Sequence, residues 1–284
     1  MSALDVLLFF SSLGCVVAYR RFFPITHTSA SSRGDVSSRL SKAQTCYAAS
    51  KNKGPILAVL RRLVQGRKLT NVLEIASGTG EHAAYFCSNL ENLVYQPSAL
   101  DYDAESVWRN QYSGKTSEDL VVSRNSCYDM DLSIKGWTED CIDEIKAKGS
   151  EILPNIHIDV ETFDRNLLPT RMKGGDIDLM ICINMIHISG WNCTDSLFRT
   201  GDECLNEVGI LYTYGPYSED GEITDSNKAF DKSLKERNPD WGVRDVEDVK
   251  KIAEKYGFYL DEKVPMPSNN LSLIFRRGKR KMKY

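Results

Sequence analysis

The stretch from Val72 to Gly80, which reads VLEIASGTG, has the residue types of a ligand site. A short apolar run leads into a turn that contains Gly78 and Gly80, and a helical pattern begins at about Glu81. Glycines in such a turn let backbone N–H groups come close to a ligand and permit positive φ angles. The turn lacks the Gly-Lys-Ser/Thr ending of a phosphate-binding P-loop. We therefore expect residues 76–80 to contact a ligand through the backbone.

Glu74 lies two positions before this loop, on the predicted strand itself. A carboxylate there can accept hydrogen bonds from an ammonium group, whereas it would repel a pyrophosphate. A cofactor with an amino-acid end and a nucleoside end, S-adenosylmethionine, fits this combination better than a dinucleotide. Two alternatives stay open. The first is a tight strand–helix turn with an ordinary surface acid. The second is a dinucleotide oxidoreductase, which the absence of GxGxxG disfavours.

Other polar residues follow the predicted strands at the edge where open α/β sheets bind ligands. The second strand is expected to end at Gln96-Pro97-Ser98, and either Gln96 or Asp101 would hydrogen-bond the ribose. Asp159, after the third strand, is placed to meet an adenine amino group. An ordinary strand-end acid is an equally good interpretation of Asp159.

Asn184 and His187 follow the fourth predicted strand, where a transferred methyl group would lie. The ordinary pKa of histidine suits the deprotonation of a nucleophile near neutral pH, although a structural role for His187 is equally open. We expect catalysis to depend mainly on proximity and orientation at Asn184, His187 and Tyr214.

The segment 214–245 is rich in aromatic and amide side chains and would lie over the reactive end of the cofactor. Pro239 and Gly242 favour a fixed loop between two helices, which is typical of a lid. The aromatic residues can equally form the apolar face of a covering helix, and Asn270 can belong to a turn with no chemical role. The candidate substrate residues are Tyr217, Asn227, Trp241, Arg244 and Asn270.

Strand-like and helix-like segments alternate along the chain and predict an open α/β sheet with right-handed crossovers. Pro55 is expected in the first turn of a helix that ends near Gly66. The segment 110–150 is polar and irregular, and we interpret it as an insertion before the third strand. The predicted strands are 71–75, 93–95, 155–159, 178–183, 209–214 and 271–275, and further helices are predicted from 81, over 195–205 and over 246–256.

Six runs of sequence resemble the methyltransferase-like protein 26 family in order and spacing, over roughly 46–278. The resemblance implies a class I methyltransferase fold, Rossmann-like, with a seven-stranded, mostly parallel sheet, helices on both faces and an antiparallel last strand. It implies cofactor contacts at Glu74, Ala76, Gly78, Gly80 and the Gln96 turn. Ala76 stands where many methyltransferases have the first loop glycine, and Ala99 stands where they have an acid. The six runs are LEIASGTGEHAAYF, YQPS, DLMICINMIHIS, TYGPY, RNPDWGVRD and PSNNLSLIFRR.

The charge distribution bears on the substrate. The chain has 284 residues and a net charge of −3, which divides into +3 over 1–45, −12 over 46–275 and +6 over the last nine residues. An acidic body is a poor platform for a phosphate backbone, so a small-molecule acceptor is expected in preference to protein, and nucleic acid is not expected. The eight cysteines form no CxxC pair, and no metal site is expected.

The N-terminal segment carries an apolar run, 6–19, that Arg20-Arg21 closes. This run is short for a bilayer span, which takes about 20 residues. Three interpretations stay open for 1–45: an organellar presequence, a short membrane anchor through 4–21 with the domain on the cytoplasmic side, or a dispensable extension. We expect an intracellular protein, mitochondrial or membrane-anchored, with a plain cytoplasmic location as the alternative.

The sequence thus predicts a leader over 1–45, a methyltransferase-like domain over 46–278 and a basic tail over 279–284. The predicted function is transfer of a methyl group from S-adenosylmethionine to an unidentified, small acceptor. The alternative is a catalytically inactive S-adenosylmethionine-binding sensor or partner subunit.

Overall fold

A computed structural model of the chain describes four stretches: 47–68, 70–78, 80–99 and 139–278. The leader, the tail over 279–284 and Asp101 lie outside these stretches, as does most of the 110–150 segment. None of the helices within them is long and apolar enough to cross a membrane.

The described part of the chain contains the strands β1 Thr70–Ile75, β2 Leu93–Ala99, β3 Glu151–Ile152, β4 Ile156–His157, β5 Ile177–Ile183, β6 Leu205–Ser218, β7 Arg244–Asp245, β8 Phe258–Met266 and β9 Asn270–Arg277. They form one sheet in the order β3-β2-β1-β5-β6-β9-β8, with short β4 beside β2 and short β7 beside β6. β9 is antiparallel to β6 and to β8, and the other pairings are parallel. This topology confirms the predicted class I fold with its antiparallel last strand.

Helices cover both faces of the sheet, because successive strand residues point to opposite faces. Val72 packs in the cluster that contains residues of α1, α2 and α3, and the next residue, Leu73, packs in the cluster that contains residues of α4 and α6. The helices are α1 Tyr47–Val64, α2 Glu81–Asn89, α3 Glu139–Ala147, α4 Trp191–Cys204, α5 Asp225–Arg237 and α6 Val246–Lys255.

Several predicted elements have different bounds in the structure. α1 is already helical at Tyr47, so Pro55 lies inside the helix and not in its first turn. β2 continues to Ala99. β6 extends beyond both ends of the predicted 209–214 run, and the predicted strand over 155–159 contains only Ile156–His157.

The end of the segment interpreted as an insertion belongs to the fold. α3 packs against α2, and Ile145 is buried. The Ser150 hydroxyl donates to the Leu90 carbonyl over 2.9 Å and accepts from the Leu93 backbone N–H over 3.1 Å. Residues 139–150 therefore form the end of the crossover from β2 to β3.

Candidate active site

The loop after β1 has a strained backbone at the point where the strand becomes a helix. Ala76, Gly78 and Gly80 have φ angles of 60°, 56° and 73°. The left-handed region costs a residue with a Cβ about 1–2 kcal/mol, so Ala76 is held there by its surroundings. Gly80 caps α2 without any side-chain hydrogen bond. The N-terminal N–H groups of α2 and its positive dipole end are therefore suited to an anion.

Two serines hold this loop against β2. The Ser77 backbone N–H donates to the Ser98 carbonyl over 2.7 Å, and the Ser98 N–H donates to the Ser77 hydroxyl over 3.1 Å. Both hydroxyls also donate to the Glu74 carbonyl, from Ser98 over 2.7 Å and from Ser77 over 3.3 Å. These bonds fix the backbone at the end of β1 and thereby the orientation of the Glu74 side chain.

The Glu74 carboxyl is buried at the end of β1, with 1% of the residue exposed. Its Oε2 has no hydrogen-bond partner among the described residues. Burial raises the pKa of Glu74 to about 7, and the nearby hydroxyl groups of Ser77 and Tyr95 act in the opposite direction. Burial also raises the pKa of Tyr95 well above its ordinary value, and the charge of Glu74 adds to this rise. A buried carboxyl oxygen without a partner fits a ligand that brings a cationic donor.

Gln96 lies inside β2 and not in a turn after it. It pairs in register with Leu73, one position before Glu74. Its side-chain nitrogen donates to the Pro97 and Pro154 carbonyls over 2.8 and 2.7 Å, while its Oε1 is buried without a partner among the described residues. The Gln96 and Glu74 side chains therefore project from opposite faces of the sheet. Ribose contact by Gln96 stays a prediction.

Asp159 follows β4 and caps a short 3-10 turn. Its Oδ1 accepts from the Glu161 backbone N–H over 2.9 Å, and the residue is half-buried. The predicted adenine contact is not tested by this geometry.

Two of the three predicted catalytic residues, Asn184 and His187, have side chains beside Gly215, whereas the side chain of the preceding residue, Tyr214, projects from the opposite face of the sheet. The Asn184 N–H donates to the Tyr214 carbonyl over 2.8 Å, and Asn184 itself has a φ of 59°. A Cβ on Gly215 would lie 3.1 Å from His187 Nδ1 and 3.9 Å from Asn184 Oδ1. The absence of this Cβ lets the imidazole pack directly against β6.

His187 is buried, and its ring centre lies 5.6 Å from that of Phe230. Burial, assisted by the charge of Arg244, lowers the pKa of His187 to about 3. The predicted role of His187 as a base depended on a pKa near neutrality; burial disfavours this role, which stays a prediction.

Two amide residues predicted to face the acceptor, Asn227 and Asn270, lie on either side of the contact between α5 and the β8–β9 turn. Asn227, on the first turn of α5, donates to the Asn269 carbonyl over 3.0 Å, and the Asn269 side chain donates to Ser226 over 2.8 Å. Asn270 donates to the Pro267 carbonyl over 3.0 Å. These bonds attach α5 to the turn, so the turn and the helix form one wall of the site.

The remaining predicted substrate residues have structural contacts. The Tyr217 hydroxyl donates to Thr213 over 2.9 Å within the core, and Trp241 is half-buried. Arg244 Nη2 donates to the Ser189 and Asp240 carbonyls over 2.8 and 2.6 Å, and its Nε lies 3.4 Å from the Ile186 carbonyl. Arg244 therefore ties the turn that carries His187 to the segment before β7.

Arg244 also lines a surface cavity of about 660 Å³. Trp191, whose ring centre lies 5.4 Å from the guanidinium carbon, also lines this cavity, and its four acidic residues are Asp220, Asp245, Glu247 and Asp248.

The sequence did not single out a buried pair that joins α1 to α2. His82 Nε2 lies 2.7 Å from Asn52 Oδ1, and both residues are buried. Burial lowers the pKa of His82 to about 4; the charge of Glu81 opposes this shift, and the charge of Lys53 adds to it. The position of His82 directly after GTGE could have drawn attention to it, but its partner, Asn52, lies 30 residues earlier in the chain. Pairs at such separation are not visible in sequence periodicity.

A model of the family described as "Protein of unknown function (DUF938)" matches residues 43–277. Among solved structures, human N-acetylserotonin methyltransferase in complex with SAM has a TM-score of 0.55 at 13% identity, over 82% of this chain and 53% of that one. The mitomycin 7-O-methyltransferase MmcR has a TM-score of 0.54 at 15% identity, over 82% and 55%. CalO1, a methyltransferase of calicheamicin biosynthesis with SAH bound, has a TM-score of 0.53 at 11% identity, over 80% and 54%.

This chain spans little more than half the length of each of these enzymes. At such identities the similarity concerns the fold, which is that of class I methyltransferases, with a Rossmann-like sheet.

Proposed function

The chain belongs to the DUF938 family, and we propose that it is an S-adenosylmethionine-dependent methyltransferase that acts on a small acceptor. The observation that carries the proposal is the open, buried Glu74 carboxyl beside a left-handed loop and an uncapped helix N-terminus. Within the family, the six sequence runs support a relationship to the methyltransferase-like protein 26 group.

The residues present fit the cofactor. S-adenosylmethionine carries an ammonium group, a carboxylate and a ribose. Glu74 would accept from a cationic or hydroxyl donor, the N–H groups at the start of α2 would hold the carboxylate, and Gly78 and Gly80 leave room for backbone contact. When bound, the cofactor supplies a methyl group on an electrophilic sulfonium.

The side chains of this chain would orient the acceptor. Asn184 follows the carboxyl end of β5, the edge where this fold places ligands, and Tyr214 of the adjacent strand β6 pairs with Ile183, the last residue of β5. His187 is neutral at physiological pH and is a weak base, so the proposal relies on positioning.

The net negative charge of residues 46–275 supports a small-molecule acceptor over nucleic acid. A mitochondrial or membrane-anchored location through the leader is part of the same proposal.

Calorimetric titration of the full chain with S-adenosylmethionine tests the assignment. Glu74→Ala and Gly78→Arg are expected to weaken binding by roughly tenfold or more, since each removes or blocks a direct contact. Glu262→Ala removes an exposed acid that pairs with Arg62 and serves as the matched control, with unchanged affinity. Equal affinity in the wild type and both site variants would contradict the proposal.

A binding protein without catalysis is the second candidate, and the low pKa of His187 favours it. It predicts S-adenosylmethionine binding with no S-adenosylhomocysteine formed across a panel of metabolites. Formation of S-adenosylhomocysteine that depends on one acceptor rejects this candidate.

A further inference from the structure

We propose that α1 positions the cofactor-binding end of α2 through four side chains, called the α1–α2 clamp below. The clamp consists of Asn52 and Lys53 of α1 and Glu81 and His82 of α2. This inference rests on the proposed function. It adds to the cofactor site a set of positioning residues that act through α2.

The first turn of α2 receives little support from its own loop. Gly80 caps the helix in the left-handed region, with a φ of 73°, and no side-chain hydrogen bond caps the helix there. The N–H groups of a first turn have no partner within the helix, so they keep a fixed position only where other elements hold them. These are the groups assigned to the cofactor carboxylate, next to Glu74, whose buried Oε2 has no partner among the described residues.

The Asn52–His82 pair holds α2 at its second residue. His82 Nε2 lies 2.7 Å from Asn52 Oδ1, and both residues are buried. The Asn52 oxygen only accepts hydrogen bonds, so Nε2 carries the ring proton and donates it. The imidazole also stacks on Phe86, with ring centres 5.5 Å apart. Breaking this bond would leave a buried donor and a buried acceptor without partners, so the first turn of α2 stays at one position relative to α1.

The Glu81–Lys53 pair acts on the charge at the same helix end. Glu81 is the first residue of α2, where its carboxylate would repel an anionic ligand. Lys53 Nζ lies 2.9 Å from Glu81 Oε1, and the Ser50 hydroxyl donates to the same oxygen over 3.0 Å. Both contacts come from α1. The clamp therefore directs the Glu81 carboxylate towards α1 and offsets its charge with an ammonium group.

α1 is a firm base for the clamp because the rest of the helix is fixed to the sheet and to α2. Ile56 and Leu60 are buried in the same cluster as Phe86 of α2. Towards the other end of α1, Arg62 donates to both carboxylate oxygens of Glu262 over 2.6 and 2.8 Å, which attaches the helix to β8. The clamp thus transmits the position of α1 to the first turn of α2.

Loss of the clamp should affect the binding of one group of the cofactor. The clamp acts on the N–H groups at the start of α2, so its loss should weaken the contact with the carboxylate and spare the contacts with the adenosine and the ammonium group. S-adenosylmethionine and its decarboxylated form differ in this carboxylate alone. The ratio of their affinities therefore reports the clamp separately from the overall stability of the chain.

Calorimetric titration of the full chain with these two ligands tests the clamp. We expect the wild type to prefer S-adenosylmethionine by roughly tenfold or more, since the decarboxylated form lacks the hydrogen bonds to a charged group. Asn52→Ala and His82→Ala should each reduce this preference to about threefold or less, and the double variant should lose no more than the larger single loss. His82→Gln keeps an N–H donor for Asn52 and should recover most of the preference.

Two further variants separate the clamp from a general effect on α2. Asn89 is the last residue of this helix, and its side chain donates to the Tyr85 carbonyl over 2.9 Å. Asn89→Ala is the matched control, because it removes a hydrogen bond at the opposite end of α2 and should leave the preference unchanged. Lys53→Met keeps the buried pair and changes a partly exposed side chain, so it should lower the preference without disturbing the core.

The same titrations distinguish failure of the clamp from failure of the proposed function. A preference that is unchanged in Asn52→Ala, His82→Ala and Lys53→Met, or equal losses of affinity for both ligands, would overturn the clamp and leave the proposed function standing. A wild type that binds the two ligands equally well would do the same. A wild type that binds neither ligand overturns both proposals.

Discussion

The Ser98 hydroxyl donates to the Glu74 carbonyl over 2.7 Å, within the buried layer between β2 and β1. This bond crosses from the second strand to Glu74, which lies two positions before the loop that follows β1. It lies beside the pair of bonds that Ser77 makes with Ser98. The orientation of Glu74 is therefore set by β2 as well as by its own strand, and the position of its unpartnered Oε2 depends on both.

Ser98→Ala is expected to destabilise the protein by about 1 kcal/mol, because the buried Glu74 carbonyl loses the shorter of its two hydrogen bonds from serine hydroxyls. It is also expected to weaken S-adenosylmethionine binding by moving Glu74. Urea denaturation measures the first effect and calorimetry the second. The control is Ser88→Ala on α2, where the lost bond is a local one to the Tyr85 carbonyl and alanine favours the helix. Equal losses in both variants would contradict the role given to Ser98.

Ala76→Gly is expected to stabilise the protein by up to about 1 kcal/mol. The left-handed backbone conformation costs alanine about 1–2 kcal/mol, and glycine removes this cost. Part of the gain is lost because glycine gives the unfolded chain more conformational entropy. The reverse change in the same loop, Gly78→Ala, is expected to cost about 1–2 kcal/mol for the same reason. Shifts of the urea midpoint in opposite directions would support the assigned backbone strain, and shifts in the same direction would refute it.

The sequence could predict the alternation of strands and helices along the chain and the position of the loop after β1, because both follow from local patterns. The continuous apolar run of β5 indicates a strand buried on both faces, and the glycines after β1 mark a turn. The topology of the last strands came from the family resemblance and is confirmed in the sheet. β8 was not singled out because exposed Tyr259, Asp261 and Lys263 interrupt its apolar residues.

Side-chain environments could not be predicted in the same way. His187 was assigned an ordinary pKa, since nothing in the local sequence shows that Gly215 and Phe230 enclose its ring. The Asn52–His82 pair joins two helices separated by β1, so only the folded chain brings the two together. Gln96 was placed in a turn because Pro97 follows it, but β2 continues through that proline to Ala99.

Arg244→Lys is expected to destabilise the protein by about 1–3 kcal/mol. The planar guanidinium donates to the Ser189 and Asp240 carbonyls and stacks over Trp191, and an ammonium cannot reproduce this geometry. Arg62→Lys is the control, because its pair with Glu262 is exposed and such pairs contribute about 0–1 kcal/mol. Thermal unfolding of the two variants at equal protein concentration measures the difference. A loss in Arg244→Lys no larger than that in Arg62→Lys would contradict the bridging role.

Glu74→Gln is expected to change how stability depends on pH. The pKa of Glu74 is about 7 in the folded chain and 4.5 without the burial, so the folded state binds more protons than the unfolded state between these values. Wild-type stability therefore carries a contribution that is present below pH 4.5 and is lost as the pH rises to about 7. Glutamine removes this loss.

The gain in Glu74→Gln over the wild type should be near zero at pH 4.5 and should approach roughly 3 kcal/mol above pH 7, since one pKa unit corresponds to about 1.4 kcal/mol. His82 and His187 titrate in both proteins, and their effects cancel in the difference. Urea denaturation at a series of pH values gives this difference directly. A constant difference across the series would show that Glu74 titrates normally. The same variant should bind S-adenosylmethionine weakly at every pH, because the amide that replaces the carboxyl carries no charge for a cationic donor.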